Sequence, residues 1–106
     1  MILEDWQEKG FVVERTLKYF KRIGLFDQVK ALILGDFLAR PIGVEREEQE
    51  LQAQYMLHIQ RRFASHCAFP VLQTNSIGHG RRCVPIPFHY PMRSRTGKRP
   101  RLALMD

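Results

Sequence analysis

The sequence predicts an α/β domain of parallel strand–helix–strand units closed by a terminal antiparallel hairpin. Three observations carry that expectation. Short apolar runs alternate with segments whose apolar residues recur at helical spacing. One of the runs, Ala31-Leu32-Ile33-Leu34, is continuous, as in a strand covered on both faces. Toward the end of the chain the apolar period becomes two, around a Thr96-Gly97 turn signal.

In chain order, residues 1–5 read as the end of a strand that delivers Glu4 and Asp5 to its tip, and Gly10 reads as a break. Residues 11–23 form a helix, with Val13, Leu17 and Phe20 on one stripe and Val12, Tyr19 and Ile23 beside it. Lys18, Lys21 and Arg22 face outward and suit the carboxyl end of the helix dipole, and Gly24 is placed to stop the helix. Residues 31–34 are the second strand, and residues 40–43 are a loop. A second helix over 45–65 opens on acidic residues and carries Leu51, Tyr55, Ile59 and Phe63 at every fourth position. Residues 69–72 are a third strand, ending near Gln73. Strand–helix–strand over so short a span implies parallel pairing through a crossover. From Val84 to Pro91, apolar residues alternate with Pro85, Pro87, His89 and Pro91. Proline has no N–H to give a ladder, so this stretch is an edge strand or an extended segment. Alternation resumes over 101–105 and completes the hairpin.

The chain has 106 residues, 44% of them apolar and 26% charged, which is one ordinary globular domain. No apolar run approaches the roughly 20 residues that span a bilayer, and no secretory leader pattern is present. A cytoplasmic protein with no membrane partner is expected. Cys67 and Cys83 are expected to be reduced and to behave as small buried apolar residues. The net charge of +6 is uneven: after Gly80 there are seven Arg or Lys residues and one acid, Asp106. Such a segment either binds phosphate backbones or is a solvated hairpin.

Two stretches could carry chemistry. In Ile77-Gly78-His79-Gly80 the glycines leave an imidazole unshielded near a strand's carboxyl end, where open α/β sheets bind ligands. That imidazole is open to three readings: general base, metal ligand or plain loop residue. Glu4 and Asp5 point to opposite faces of a strand, so only one can serve a given cleft. An acid there either orients a histidine through its Nδ1 proton or is a polar strand terminus. His58, His66, His79, His89, Cys67 and Cys83 show no metal-ligand spacing, so no metal or other cofactor is expected. Ser65, Ser76 and Ser94 lie in no nucleophile-elbow pattern.

The ordered series Ile2-Leu3-Glu4-Asp5, Val13-Glu14-Arg15, Gly24-Leu25-Phe26-Asp27, Leu32-Ile33-Leu34-Gly35, Phe69-Pro70-Val71-Leu72, Gly78-His79-Gly80 and Val84-Pro85-Ile86-Pro87 resembles one family. It is similar to the carboxyl-terminal domain of the LD-carboxypeptidases, the S66 serine peptidases. The resemblance covers nearly the whole chain. It implies a swivelling β/β/α domain and a Ser–His–Glu triad, with the acid at Glu4 and the base at His79. It implies a peptide substrate such as a murein tetrapeptide that loses D-alanine. The family's serine lies in a separate amino-terminal domain to which nothing in this chain corresponds. The expectation is therefore a single partial domain over 1–106, truncated at its amino-terminal side and inactive alone. Pro87 and the Phe88-His89-Tyr90-Pro91 stretch depart from the family pattern, as does the basic hairpin.

Two rival readings follow from the same residues. A half-domain with open strand edges would self-associate into a homo-oligomer as a non-catalytic remnant. Alternatively, Arg81, Arg82, Arg93, Arg95, Lys98, Arg99 and Arg101 would bind nucleic acid. Few aromatics are interleaved with these cations and no RNA-binding motif is present, so nucleic acid is not the expected partner.

Overall fold

A computed structural model of the chain describes residues 1–5, 8–37, 43–79, 83–87, 89, 91–95, 97–99 and 101–105, with backbone alone at Leu102 and Leu104. Strand β1 (Ile2–Leu3), helix α1 (Gly10–Arg22), β2 (Leu32–Asp36), α2 (Arg46–Ser65) and β3 (Val71–Gly78) follow in order. The strands form a parallel sheet in the order β1-β2-β3. A separate antiparallel hairpin joins β4 (Met92–Arg95) to β5 (Arg101–Leu104). The α/β class, the parallel units and the terminal hairpin are as the sequence predicts. Residues 40–42, Gly80, Arg81, Arg82, Phe88, Tyr90 and Thr96 lie outside the described residues, with the expectations that fall on them.

The core lies between the sheet and the two helices. Val13 and Leu17 of α1, Met56 of α2, Leu32 and Leu34 of β2, and Phe26 and Phe37 form one buried cluster. Each such side chain contributes about 1.5–3 kcal/mol on burial. Phe26 packs against Phe63 and Phe69 at centroid distances of 5.6 and 5.9 Å and edge-on to Phe20 at 6.3 Å. All five residues of β2 are buried, as its unbroken apolar run requires. Its Leu32 and Leu34 meet the helices, so Ile33 and Gly35 face the other side. There Ile33 and Leu72 share an apolar cavity of about 430 Å³ with Val84, Ile86 and Met92.

The helix stop at Gly24 is a Schellman motif. Leu25 N–H donates to the Phe20 carbonyl and Gly24 N–H to that of Lys21, with φ of Gly24 at +78°. Four local expectations need correction. Gly10 is no break: it is the first residue of α1, and a Cβ there would meet the Tyr55 ring at 2.7 Å. Tyr19 and Ile23 are exposed, because the sheet covers only the Val13–Leu17 side of α1. Leu51 and Tyr55 are also exposed, whereas Ile59 of the same stripe is buried, together with Met56 and Gln60. The third strand does not end near Gln73 but runs to Gly78.

Cys67 is half-buried and Cys83 is exposed, and both are free thiols, so only the first resembles the buried apolar residue expected. Among the described residues no helix is long and apolar enough to cross a membrane.

Candidate functional site

Glu4 immediately follows β1 and His79 immediately follows β3, with β2 between the two strands. Neighbouring strands lie about 4.8 Å apart, so the two residues start from positions roughly 10 Å from each other. Even so, His79 Nδ1 lies 3.1 Å from Glu4 Oε2. Two features close the gap.

The first is the absence of a side chain on the middle strand. Glu4 comes level with Gly35, since Leu3 pairs with Leu34. A Cβ on Gly35 would stand 2.8 Å from Glu4 Cβ and 2.8 Å from the Ile77 carbonyl oxygen. The Glu4 side chain therefore passes over β2 where β2 has nothing to obstruct it. Gly78 completes the passage: its φ is +107°, and a Cβ there would meet Glu4 Oε2 at 2.9 Å.

The second feature is a detour in β3. Leu34 pairs with Gln73, yet Asp36 pairs with Gly78. Two steps along β2 thus accompany five along β3, leaving three surplus residues in the ladder. A regular register would put Asn75 opposite Asp36 and carry His79 about 10 Å further along the strand direction. The irregularity draws the histidine back to the acid, a use to which strand bulges near functional sites are often put.

The pair is open to solvent. The His79 side chain is 55% exposed and that of Glu4 34%. A pair this accessible adds at most about 1 kcal/mol to stability, so its consequence is positional. With Nδ1 protonated, the ring donates to the carboxylate, and Nε2 is left as an acceptor. That is the tautomer a general base needs.

The other sequence candidates fall elsewhere. Asp5 is exposed. Ser65 ends α2, where its hydroxyl donates to the Arg62 carbonyl at 2.7 Å, and Ser94 lies in β4. His66 is held at the same helix end, with Nδ1 2.8 Å from the Arg62 carbonyl. Among the described residues no three His, Cys, Asp or Glu side chains gather as a cation site would require. Burial pushes the Cys67 thiol above its ordinary value, and the Lys21 ammonium partly offsets that.

Sequence reasoning picks out Glu4 and His79 but misses Gly35. Its only signal is a residue without a side chain between a run of apolar ones and the acid Asp36. It also misses Asp36, which is buried at the end of β2 with its backbone against Gly78.

Residues 1–93 match the LD-carboxypeptidase C-terminal domain family. The chain is also similar to a Rickettsia conorii protein whose name assigns it, provisionally, to the carboxypeptidases, with 32% identity over 89 residues. That alignment covers 84% of this chain and 24% of the relative, so the chain spans about a quarter of the relative's length. No solved structure matches the chain.

Proposed function

The chain belongs to the LD-carboxypeptidase C-terminal domain family, and from that premise we propose that it supplies the base and the orienting acid of a serine-type carboxypeptidase. The observation that carries the reading is the 3.1 Å approach of His79 Nδ1 to Glu4 Oε2 across an intervening strand. In the complete enzyme, His79 Nε2 takes the proton of a serine hydroxyl contributed by polypeptide outside these 106 residues. Glu4 fixes the tautomer and balances the imidazolium that forms. The serine oxygen attacks the peptide carbonyl. His79 then returns the proton to the departing amine, and water hydrolyses the acyl-enzyme.

The substrate is a peptide of the murein-tetrapeptide kind, losing a terminal D-alanine during peptidoglycan recycling in the cytoplasm. The domain is of the swivelling β/β/α type and works in a homo-oligomer. By itself the chain holds the pair without the nucleophile and is inactive, since a triad without its nucleophile loses nearly all its rate.

A chimera tests the reading. Residues 1–93 replace the matching segment of a full-length family enzyme, and D-alanine release from a murein tetrapeptide is measured. Retained activity that disappears on His79→Ala is the expected result. Release of D-alanine by the 106-residue chain on its own would overturn the assignment of roles.

A further inference from the structure

The terminal hairpin has no part in that chemistry. The family match stops at residue 93, inside β4, so most of the ribbon lies beyond it. Arg93 pairs with Ala103, and Arg95 pairs with Arg101. Alternation puts Arg93, Arg95 and Arg101 on one face of the ribbon, and all three are exposed. Met92 and Ser94, on the other face, line the cavity against the sheet, which Arg101 and Ala103 also border.

Arg95 and Arg101 therefore stand directly opposite each other, an arrangement that weakens a ladder when both residues carry the same charge. Lys98 and Arg99, also exposed, extend the positive charge into the turn. Between residues 81 and 105 there are seven Lys or Arg residues and no acid. Among the described residues no carboxylate pairs with Arg93, Arg95 or Arg101. The fold thus sets guanidinium groups side by side, with no counter-charge among the described residues.

Against the expectation from the sequence, we propose that this face of the hairpin binds the phosphate backbone of a nucleic acid without sequence preference. Three features favour that partner. Four of the five cations of the hairpin are arginines, whose planar forks grip two phosphate oxygens at once. A two-stranded ribbon is one of the two shapes that the DNA major groove admits. The cations also recur about 7 Å apart along β4 and about 5.5 Å apart across the ladder, close enough to engage successive phosphates. An anionic membrane would be met by large apolar side chains at the ribbon tip, and residues 96–100 between the strands offer only Pro100. A protein partner would need an aromatic or aliphatic anchor amid the charge, and between the arginines there is only Ala103, with exposed Met105 set apart beside Pro91 at the open end of the ribbon.

Fluorescence anisotropy of the full chain with a short labelled DNA duplex of random sequence, measured over a range of salt concentrations, tests the proposal. Three phosphate contacts predict a log–log salt slope of about −2.7. The triple variant R93S/R95S/R101S should weaken binding more than tenfold and flatten the slope by about that amount. R15S/R22S/K30S removes the same charge from exposed positions elsewhere and should bind like the parent chain. Arg95→Thr removes the like-charge pair alone. It should leave Tm unchanged or raised while weakening DNA binding, a pairing of effects that loss of structure cannot produce. The proposal is overturned by no binding at low salt, by equal loss in the two triple variants, or by capture on phosphatidylglycerol vesicles without DNA binding.

Discussion

Glu4 reaches His79 by lying across Gly35, a residue of the strand that separates them. Contact between acid and base therefore depends on the missing side chain of a third residue. Gly35→Ala should break that contact. The inserted Cβ meets Glu4 Cβ and the Ile77 carbonyl, each at 2.8 Å. A loss of about 1–3 kcal/mol in stability is expected from overpacking. In ¹⁵N NMR the His79 ring should lose its Nδ1–H tautomer, as it would in Glu4→Gln. An unchanged tautomer in Gly35→Ala would show that the acid has another route.

Gly78→Ala should fail for a second reason besides crowding. Its φ of +107° is a conformation that side-chain-bearing residues rarely adopt. Such strain costs on the order of 1–3 kcal/mol. Chemical denaturation should show the loss, and Gly97→Ala provides the comparison. Gly97 also has positive φ, but a Cβ there meets nothing within 4 Å. The difference between the two variants reports the contacts with Glu4 and with the Asp36 backbone.

In the chimeric enzyme, His79→Ala should lower kcat by on the order of 10⁴-fold or more, with KM little changed. Glu4→Gln keeps the size of the side chain but loses control of the tautomer, and should cost a comparable factor. Asp5→Asn should leave kcat within about twofold, because substitution of an exposed residue outside the pair removes no transition-state contact. Steady-state release of D-alanine measures all three.

The two thiols should separate by reactivity. Exposed Cys83 should be alkylated first at neutral pH. Cys67 should follow only at more alkaline pH, because burial raises its pKa. Lys21→Met should push Cys67 further up and slow its reaction. The sign for stability follows from linkage. A thiol whose pKa is raised in the fold loses nothing below its unfolded titration range. It destabilises the fold as pH rises through that range toward the folded value. Cys67→Ala should flatten the alkaline fall in stability seen by denaturant titration.

Helix α2 offers a stability contrast between two leucine-sized positions. Leu51 is 65% exposed, so Leu51→Ala should change stability by less than about 0.5 kcal/mol. Ile59 is 3% exposed, and Ile59→Ala should cost about 2–5 kcal/mol. Urea unfolding of the two variants measures both.

The same two residues mark how far the sequence could be read. The every-fourth-residue stripe from Leu51 to Phe63 correctly announces a helix, because period is a local property. It does not show that Leu51 and Tyr55 stay exposed, because that depends on which other elements reach them. Ile33 and Leu34 are legible as a doubly covered strand for the opposite reason: the covering is written in each residue. At the site, Glu4 and His79 stand out by their chemistry and by the motifs around them. Gly35 does not, since its contribution is the absence of a Cβ opposite a residue 31 positions away in the chain. The detour between Gln73 and Gly78 is equally silent, because no residue in Thr74-Asn75-Ser76-Ile77 is foreign to an ordinary strand.

Strand β1 is joined to the sheet through two residue pairs, Ile2 with Ile33 and Leu3 with Leu34. The acid is thus carried by the most weakly held strand of the sheet, while the histidine hangs from its longest. Fraying of so short an edge needs far less energy than melting of the helix-covered core. On heating, the imidazole should lose its partner while circular dichroism still reports a folded domain. Loss of the acid–base contact and unfolding would then be two separate events in this chain, the first set by the hold of a dipeptide and not by the core.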